Sequence, residues 1–163
     1  MIKVRNFQKG DERRMREIAP RAFSRFARYG IDKKLPREKT DACYQEEVSE
    51  YVRKLSEDSS KLFILVACEN AVLGYIVLAI DEKLSRIYDF KWGRIISLAV
   101  DPDYYNKGIG SLLTKEGLNL LKRKRVKYAE VYTDQNNVAA ISVYQKNGFR
   151  VIHSGITLYQ YLE

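Results

Sequence analysis

Residues 95–113, Ile95-Ile96-Ser97-Leu98-Ala99-Val100-Asp101-Pro102-Asp103-Tyr104-Tyr105-Asn106-Lys107-Gly108-Ile109-Gly110-Ser111-Leu112-Leu113, decide the reading of this chain. The run of Ile95, Ile96, Leu98 and Val100 is apolar and partly β-branched, and it stops at Asp101-Pro102. Such a run, bounded by a turn signal, predicts a strand. Polar residues 103–107 follow, and Gly108-Ile109-Gly110 then opens an amphipathic segment, predicting a loop and a helix. Glycine lets backbone approach a ligand closely. The first turn of a helix presents N–H groups without intrahelical partners at the positive end of the macrodipole. Residues 105–111 are therefore a candidate phosphate site.

Three phosphate motifs compete for this stretch. A Walker A loop needs Gly-Lys-Ser/Thr after four spacer residues, and neither glycine here is followed by it. A dinucleotide fingerprint needs a third glycine where the chain has Leu113, and no early strand–turn–helix unit is present. The third motif is the pyrophosphate loop Gln/Arg-x-x-Gly-x-Gly/Ala after a strand ending Val-x-Pro. Val100-Asp101-Pro102 and Gly108-x-Gly110 fit it, whereas Tyr105 stands at the Gln/Arg position and Asn106 where glycine is usual. In this the stretch resembles the GNAT N-acetyltransferases. A second segment, Asn137-Val138-Ala139-Ala140-Ile141-Ser142-Val143-Tyr144-Gln145-Lys146-Asn147-Gly148-Phe149, closely matches that family's Asn-x-x-Ala-Ile-x-Leu-Tyr-Glu-Lys-x-Gly-Phe. Either segment alone reads as an ordinary βα turn or a capped helix. Together, with a strand between them, they are specific, and the resemblance is strong over residues 62–152.

The length of 163 residues suits one domain, 1–163, with a sizeable core. An apolar fraction of 45% with 31% charged residues suits a globular chain. No apolar run is long enough to cross a bilayer and no leader pattern opens the chain, so the expected location is cytoplasmic. Cys43 and Cys68 lie far apart and His153 is the single histidine, which argues against a metal site. The net charge of +8 is spread along the chain and suits an anionic ligand. It also leaves open a basic nucleic-acid-binding protein, with residues 122–127 as the candidate contact.

Alternation in residues 1–7 predicts a first strand, and Gly10-Asp11 opens a helix whose apolar face includes Met15, Ile18, Ala22, Phe23 and Phe26. Pro20 predicts a kink or break near Ala19. Residues 29–39 read as a loop and Thr40 to Ser56 as a second helix. Residues 62–68 and 72–80 read as a hairpin of core strands, with a bulge at Gly74. Residues 81–91 read as a charged, aromatic connector and 92–101 as the strand feeding the loop. Gly117 lies on the apolar face of the next helix and would permit close packing on the sheet. Residues 126–133 alternate as a strand, residues 138–146 form a short helix, and 149–152 and 157–162 read as final strands.

The resemblance implies an α/β (α+β) GNAT fold. Its mixed sheet of about seven strands is split between two parallel strands, here 93–100 and 127–133, and flanked by about four helices. It implies acetyl-coenzyme A as cosubstrate, with the pantetheine arm adding to the edge at Leu98, Ala99 and Val100 as a pseudo-strand. The pyrophosphate would meet the amides of Tyr105, Asn106, Lys107, Gly108, Ile109, Gly110 and Ser111. Asn137 would touch the pantetheine arm, with Ala140 and Lys146 near the coenzyme. The implied reaction is acetyl transfer to a primary amine by direct attack, the amine belonging to a protein or a small molecule. Tyr144 matches the family tyrosine that protonates the leaving thiolate. A glutamate used as base by some members is Arg94 here, so Glu130 becomes the candidate base, with Tyr132 or a water chain as substitutes. The acceptor would be read by residues 24–40, 81–91 and 153–161. Tyr88, Phe90 and Trp92 beside Asp81, Glu82 and Asp89 could offer a cation both charge and an aromatic face. Tyr159 and Tyr161 come near the tyrosine pair of N-terminal acetyltransferases. The missing carboxylate and the Tyr105-Asn106 departure also allow a non-catalytic acyl-coenzyme A binding module. A monomer and a homodimer both remain open.

Overall fold

The computed structural model describes residues 1–24, 27, 30, 32–160 and 162. Phe26 of the expected helix face, Tyr161 of the tyrosine pair and part of the 24–40 and 29–39 segments lie outside the described residues. Among the described residues five strands form one sheet in the order β1 (Lys3–Asn6), β2 (Leu62–Cys68), β3 (Val72–Asp81), β4 (Lys91–Val100) and β5 (Val126–Val131). Strands β1 to β4 are successively antiparallel, whereas β4 and β5 run parallel. The sheet is thus mixed, as expected, but has five strands rather than seven. The segments 149–152 and 157–160 carry no strand pairing, and Val151, Ile152, Ile156 and Leu158 are exposed. Their apolar alternation reads as strand only where a neighbouring strand covers one face, and none does so here.

Helices α1 (Asp11–Phe23) and α2 (Arg37–Glu57) cover one face of the sheet. There Met15, Ile18, Tyr44 and Val48 pack on Ile64, Val66, Tyr75, Val77 and Ala99. Helices α4 (Ile109–Arg123) and α5 (Val138–Lys146) cover the other face, where Ile109, Leu113, Leu121 and Tyr144 pack on Leu65, Ile76, Leu78 and Ile95. β2 and β3 are buried on both faces, which explains their unbroken apolar runs. Gly117 of α4 sits where a methyl group would come within 3.2 Å of Ile76 and Leu78, so its lack of a side chain sets the helix-to-sheet distance.

Three local readings change. Helix α1 continues through Pro20 to Phe23 without ending near Ala19. Residues 82–88 of the expected connector form a helix, α3 (Glu82–Tyr88), whose N-cap Asp81 accepts from the Leu84 N–H at 2.8 Å. It buries no residue, so no apolar stripe announces it. The bulge expected at Gly74 lies beside it, where Ala67 pairs Gly74 but Cys68 pairs Val72 and Leu73 is the extra residue.

Asp101, directly after β4, is fully buried. Arg14 pairs with one carboxylate oxygen and Arg21 with the other at 2.8 Å, and Arg21 also reaches Asp103 at 2.9 Å. Asp101 caps the short 3-10 turn Pro102–Tyr104 by accepting from the Asp103 N–H. α1 is thereby tied to the start of the loop. Breaking a buried pair by removing one partner costs ~3–5 kcal/mol. Both guanidinium groups keep access to water, so Asp101→Ala is expected at the low end, about 3 kcal/mol, measured by urea unfolding.

Candidate active site

The site is built by the parting of β4 and β5. They pair from Lys91 with Val126 to Ile95 with Val131, and no further. β4 runs on to Val100, held on its other side by β3. Ile96 is the extra residue of a bulge, since Val77 pairs Ser97 and Leu78 pairs Ile95. A bulge bends its strand and sharpens the local twist. Here it coincides with the point where β5 leaves, so residues 96–100 present an edge with no strand on the β5 side. A cavity of about 370 Å³ lies in the fork, lined by Arg94, Ile95, Ile96, Glu130, Val131 and Tyr132.

The loop at the open end prepares a second feature. Asn106 and Gly108 both adopt left-handed backbone, at φ 61° and 76°. Gly108 is the N-cap of α4, and a methyl group there would meet nothing within 4 Å. The first intrahelical bond is donated by Leu112 N–H to the Gly108 carbonyl, so the N–H groups of Ile109, Gly110 and Ser111 lie in the unsatisfied first turn. Tyr105, Asn106, Lys107 and Gly108 are exposed, whereas Ile109 is buried in the core beneath them. Gly110 fits between Val100 of β4 and Val143 of α5, at 3.8 and 3.6 Å from its would-be methyl. The Asn147 side-chain amide donates to Ser111 Oγ at 3.0 Å and to the Val143 carbonyl at 2.8 Å. The helix start, the free edge of β4 and α5 therefore meet at one place.

Asn137 is the N-cap of α5, its Oδ1 accepting from the Ala140 N–H at 3.2 Å. Ala140 is half-buried and Lys146 exposed. Tyr144 is 7% exposed, and its ring meets Phe149 edge-on at 5.7 Å. Burial raises the proton affinity of its hydroxyl, which stays protonated at neutral pH. Asn137→Ala should lower stability by ~0.5–2 kcal/mol, the cost of a lost cap, which thermal unfolding will show.

The other assignments fare differently. Glu130 is not a free carboxylate: it lies opposite Arg94 in the parallel register, and Arg94 Nε stands 2.5 Å from its Oε1 and 3.4 Å from Asp81. Tyr132 is exposed beside it at the rim of the cavity. Tyr88, Phe90, Trp92 and Tyr128 do come together, with Trp92 and Tyr128 ring centroids 4.1 Å apart. They gather where β4 and β5 are still paired, several residues from the free edge, and serve first to pack one another. Among the described residues there is no group of three or more side chains able to hold a metal ion, and no helix long and apolar enough to cross a membrane.

Residues 17–149 match the model of the acetyltransferase (GNAT) family, most of the chain. The chain belongs to the GNAT acetyltransferase family. Among its relatives is the mycothiol acetyltransferase of Thermobifida fusca, 28% identical over 99 residues, covering 51% of this chain and 30% of that protein. That of Saccharomonospora viridis is 32% identical over 100 residues, covering 61% and 33%. The GNAT chain thus spans about a third of the length of these curated relatives. Among solved structures, the PaiA N-acetyltransferase of Thermoplasma acidophilum in complex with coenzyme A superposes with a TM-score of 0.76 at 22% identity, over 95% of this chain and 93% of that one. The ribosomal-protein-S18-alanine N-acetyltransferase of Escherichia coli gives 0.65 at 16% identity, over 92% and 78%. At these identities the two structures share the fold with this GNAT chain, and the chemistry of its site has to be argued from its own residues.

Proposed function

We propose that this GNAT chain binds acetyl-coenzyme A in the fork between β4 and β5 and transfers the acetyl group to a primary amine by direct attack. The observation that carries the reading is the free edge at residues 96–100 ending against the helix start at Gly108. An amide chain can pair with such an edge, and a diphosphate suits such a helix start. The left-handed Gly108, with open space in front of it, leaves room for the diphosphate to meet backbone. Membership of an acetyltransferase family and the coenzyme A complex of the Thermoplasma relative support the same ligand. The ligand set is Leu98, Ala99 and Val100 for the pantetheine arm, residues 105–111 for the diphosphate, and Asn137, Ala140 and Lys146 along the arm. The tetrahedral state of such a transfer needs a donor for its oxyanion and a proton for the departing sulfur. Tyr144 supplies the latter. The acceptor of the mycothiol relatives is not carried over, because only about a third of each is matched.

The test has two parts. Calorimetric titration with acetyl-coenzyme A should show one site per chain. Release of coenzyme A thiol should then rise when an amine is added from a panel of spermidine, an amino sugar, a lysine peptide and a peptide with a free N-terminus. Binding without thiol release across the panel would favour the non-catalytic module, a reading that the Arg94–Glu130 pair also fits.

A further inference from the structure

Two carboxylates stand at the start of the loop after β4, and one arginine meets both. Asp101 is fully buried, and Asp103, two residues on, is exposed. Arg21, in the last turn of α1, spans them. One of its guanidinium nitrogens lies 2.8 Å from Asp101 Oδ1 and the other 2.9 Å from Asp103 Oδ1. Arg14, two helical turns earlier, takes the second oxygen of Asp101. It also donates to the Val72 carbonyl at 3.2 Å and pairs with Glu17 at 3.0 Å. Arg14 is thus shared among three partners, whereas both contacts of Arg21 go to the loop.

The place of these carboxylates matters for an anionic ligand. Val100 directly precedes Asp101, and its side chain lies 3.8 Å from the methyl position of Gly110, in the first turn of α4. Asp103 is two residues before Tyr105, where the proposed diphosphate stretch 105–111 begins. A diphosphate entering that stretch therefore arrives beside two negative charges. Position 105 holds tyrosine where the resembling loops have Gln or Arg, so the loop supplies no cation of its own before Lys107. Lys107 Nζ lies over the Tyr104 ring, 4.5 Å from its centroid, and Glu69 of the β2–β3 turn pairs with the Met1 amine. Neither is paired with Asp101 or Asp103.

Resting on the coenzyme-binding reading above, we infer that Arg21 is a positioning residue for acetyl-coenzyme A, acting from α1 by neutralising Asp101 and Asp103 at the entrance to the diphosphate loop. It acts through the two carboxylates and does not touch the ligand. The contacts also allow a purely mechanical role, in which Arg21 straps α1 to the Pro102–Tyr104 turn. The two roles predict opposite behaviour at Asp103. A strap fails when either end is removed. A neutralising cation becomes dispensable when the charge it neutralises is removed.

The experiment titrates acetyl-coenzyme A into wild type, Arg21→Ala, Arg21→Lys, Asp103→Asn and the double variant Arg21→Ala/Asp103→Asn, at low and high salt, alongside thermal unfolding. Arg21→Ala should raise Kd about 10-fold at low salt, and the difference should narrow as salt screens the carboxylates. It should unfold close to wild type, because Arg14 still pairs with Asp101 and the Arg21–Asp103 pair is exposed. Thiol release at saturating acetyl-coenzyme A should match wild type, so the loss falls on KM and not on kcat. Arg21→Lys should keep most of the affinity. Asp103→Asn should bind at least as tightly as wild type, and the double variant should recover most of what Arg21→Ala loses. Wild-type affinity in Arg21→Ala overturns this inference alone. So does a loss that salt leaves unchanged, or weakened binding by Asp103→Asn, either of which makes Arg21 a strap. The Asp103→Asn result decides even where Arg21→Ala fails to fold. A wild-type chain that binds no acetyl-coenzyme A overturns the reading of function, and this one with it.

Discussion

Gly108→Glu should abolish acetyl-coenzyme A binding while leaving a folded protein. Gly108 adopts φ 76° as the N-cap of α4, and a side chain there would project into open space. The substitution therefore creates no clash inside the protein. It does impose a left-handed conformation on a residue with a Cβ, at a cost of ~1–2 kcal/mol. Neighbouring Asn106 carries the same kind of strain already, so the loop tolerates it. The larger effect falls on the ligand. A carboxylate would stand in the space the diphosphate has to enter, ahead of the Ile109, Gly110 and Ser111 amides. Like charges brought together at a binding surface cost several kcal/mol, which corresponds to about 10³-fold in Kd. Gly108→Ala separates the two contributions, because it brings the backbone strain without the charge. Calorimetry should show the alanine protein weakened only modestly and the glutamate protein without measurable binding, both unfolding cooperatively. Wild-type affinity in the folded glutamate protein would remove the loop from the site.

Which parts of this site were legible in the sequence follows from where the information lies. The β4–loop–α4 unit is local: an apolar run, Asp101-Pro102 and a glycine pair sit within twenty residues and mark strand, turn and helix start. The Asn137 cap is equally local, being set by the bond to Ala140 three residues on. What the sequence concealed is long-range. Arg14 and Arg21 reach Asp101 across 87 and 80 residues. Their spacing of seven on one helix is the local trace, and ordinary surface charge on a helix has the same spacing. Arg94 meets Glu130 because the parallel register sets them opposite one another, and no pattern in either strand fixes that register.

The aromatic connector reads differently once the chain is folded. Aromatics and carboxylates are dense in residues 81–92, a composition that could offer a cation both charge and an aromatic face. In the folded chain those aromatics pack together around Trp92 at the closed end of the fork. The last strands failed differently. Phe149 to Ile152 and the run after Thr157 have strand-like alternation, but alternation describes the segment alone, and pairing depends on a neighbour it does not have among the described residues.

Tyr144→Phe should lose turnover by 10²–10⁴-fold, toward the lower value, with acetyl-coenzyme A affinity close to wild type. Tyr144 lies on α5 next to Val143, which touches the start of α4, and its ring packs with Phe149. Phenylalanine keeps that ring and removes only the hydroxyl, so stability should change little, unlike the Asn137 and Asp101 substitutions. Burial holds the hydroxyl protonated, which suits a donor and excludes Tyr144 as a base at neutral pH. A thiolate is a tolerable leaving group, so the proton matters less than it would for an alkoxide, and the lower value follows. Thiol release in single turnover separates chemistry from product departure, and coenzyme titration checks binding in the same protein. The pH dependence gives a second reading. Loss of Tyr144 should scale the rate down without moving the acid limb, because the buried hydroxyl stays protonated across that range. Turnover within a factor of about two of wild type, well short of the range for general acid catalysis, would make Tyr144 a packing residue and leave the proton on sulfur to come from water.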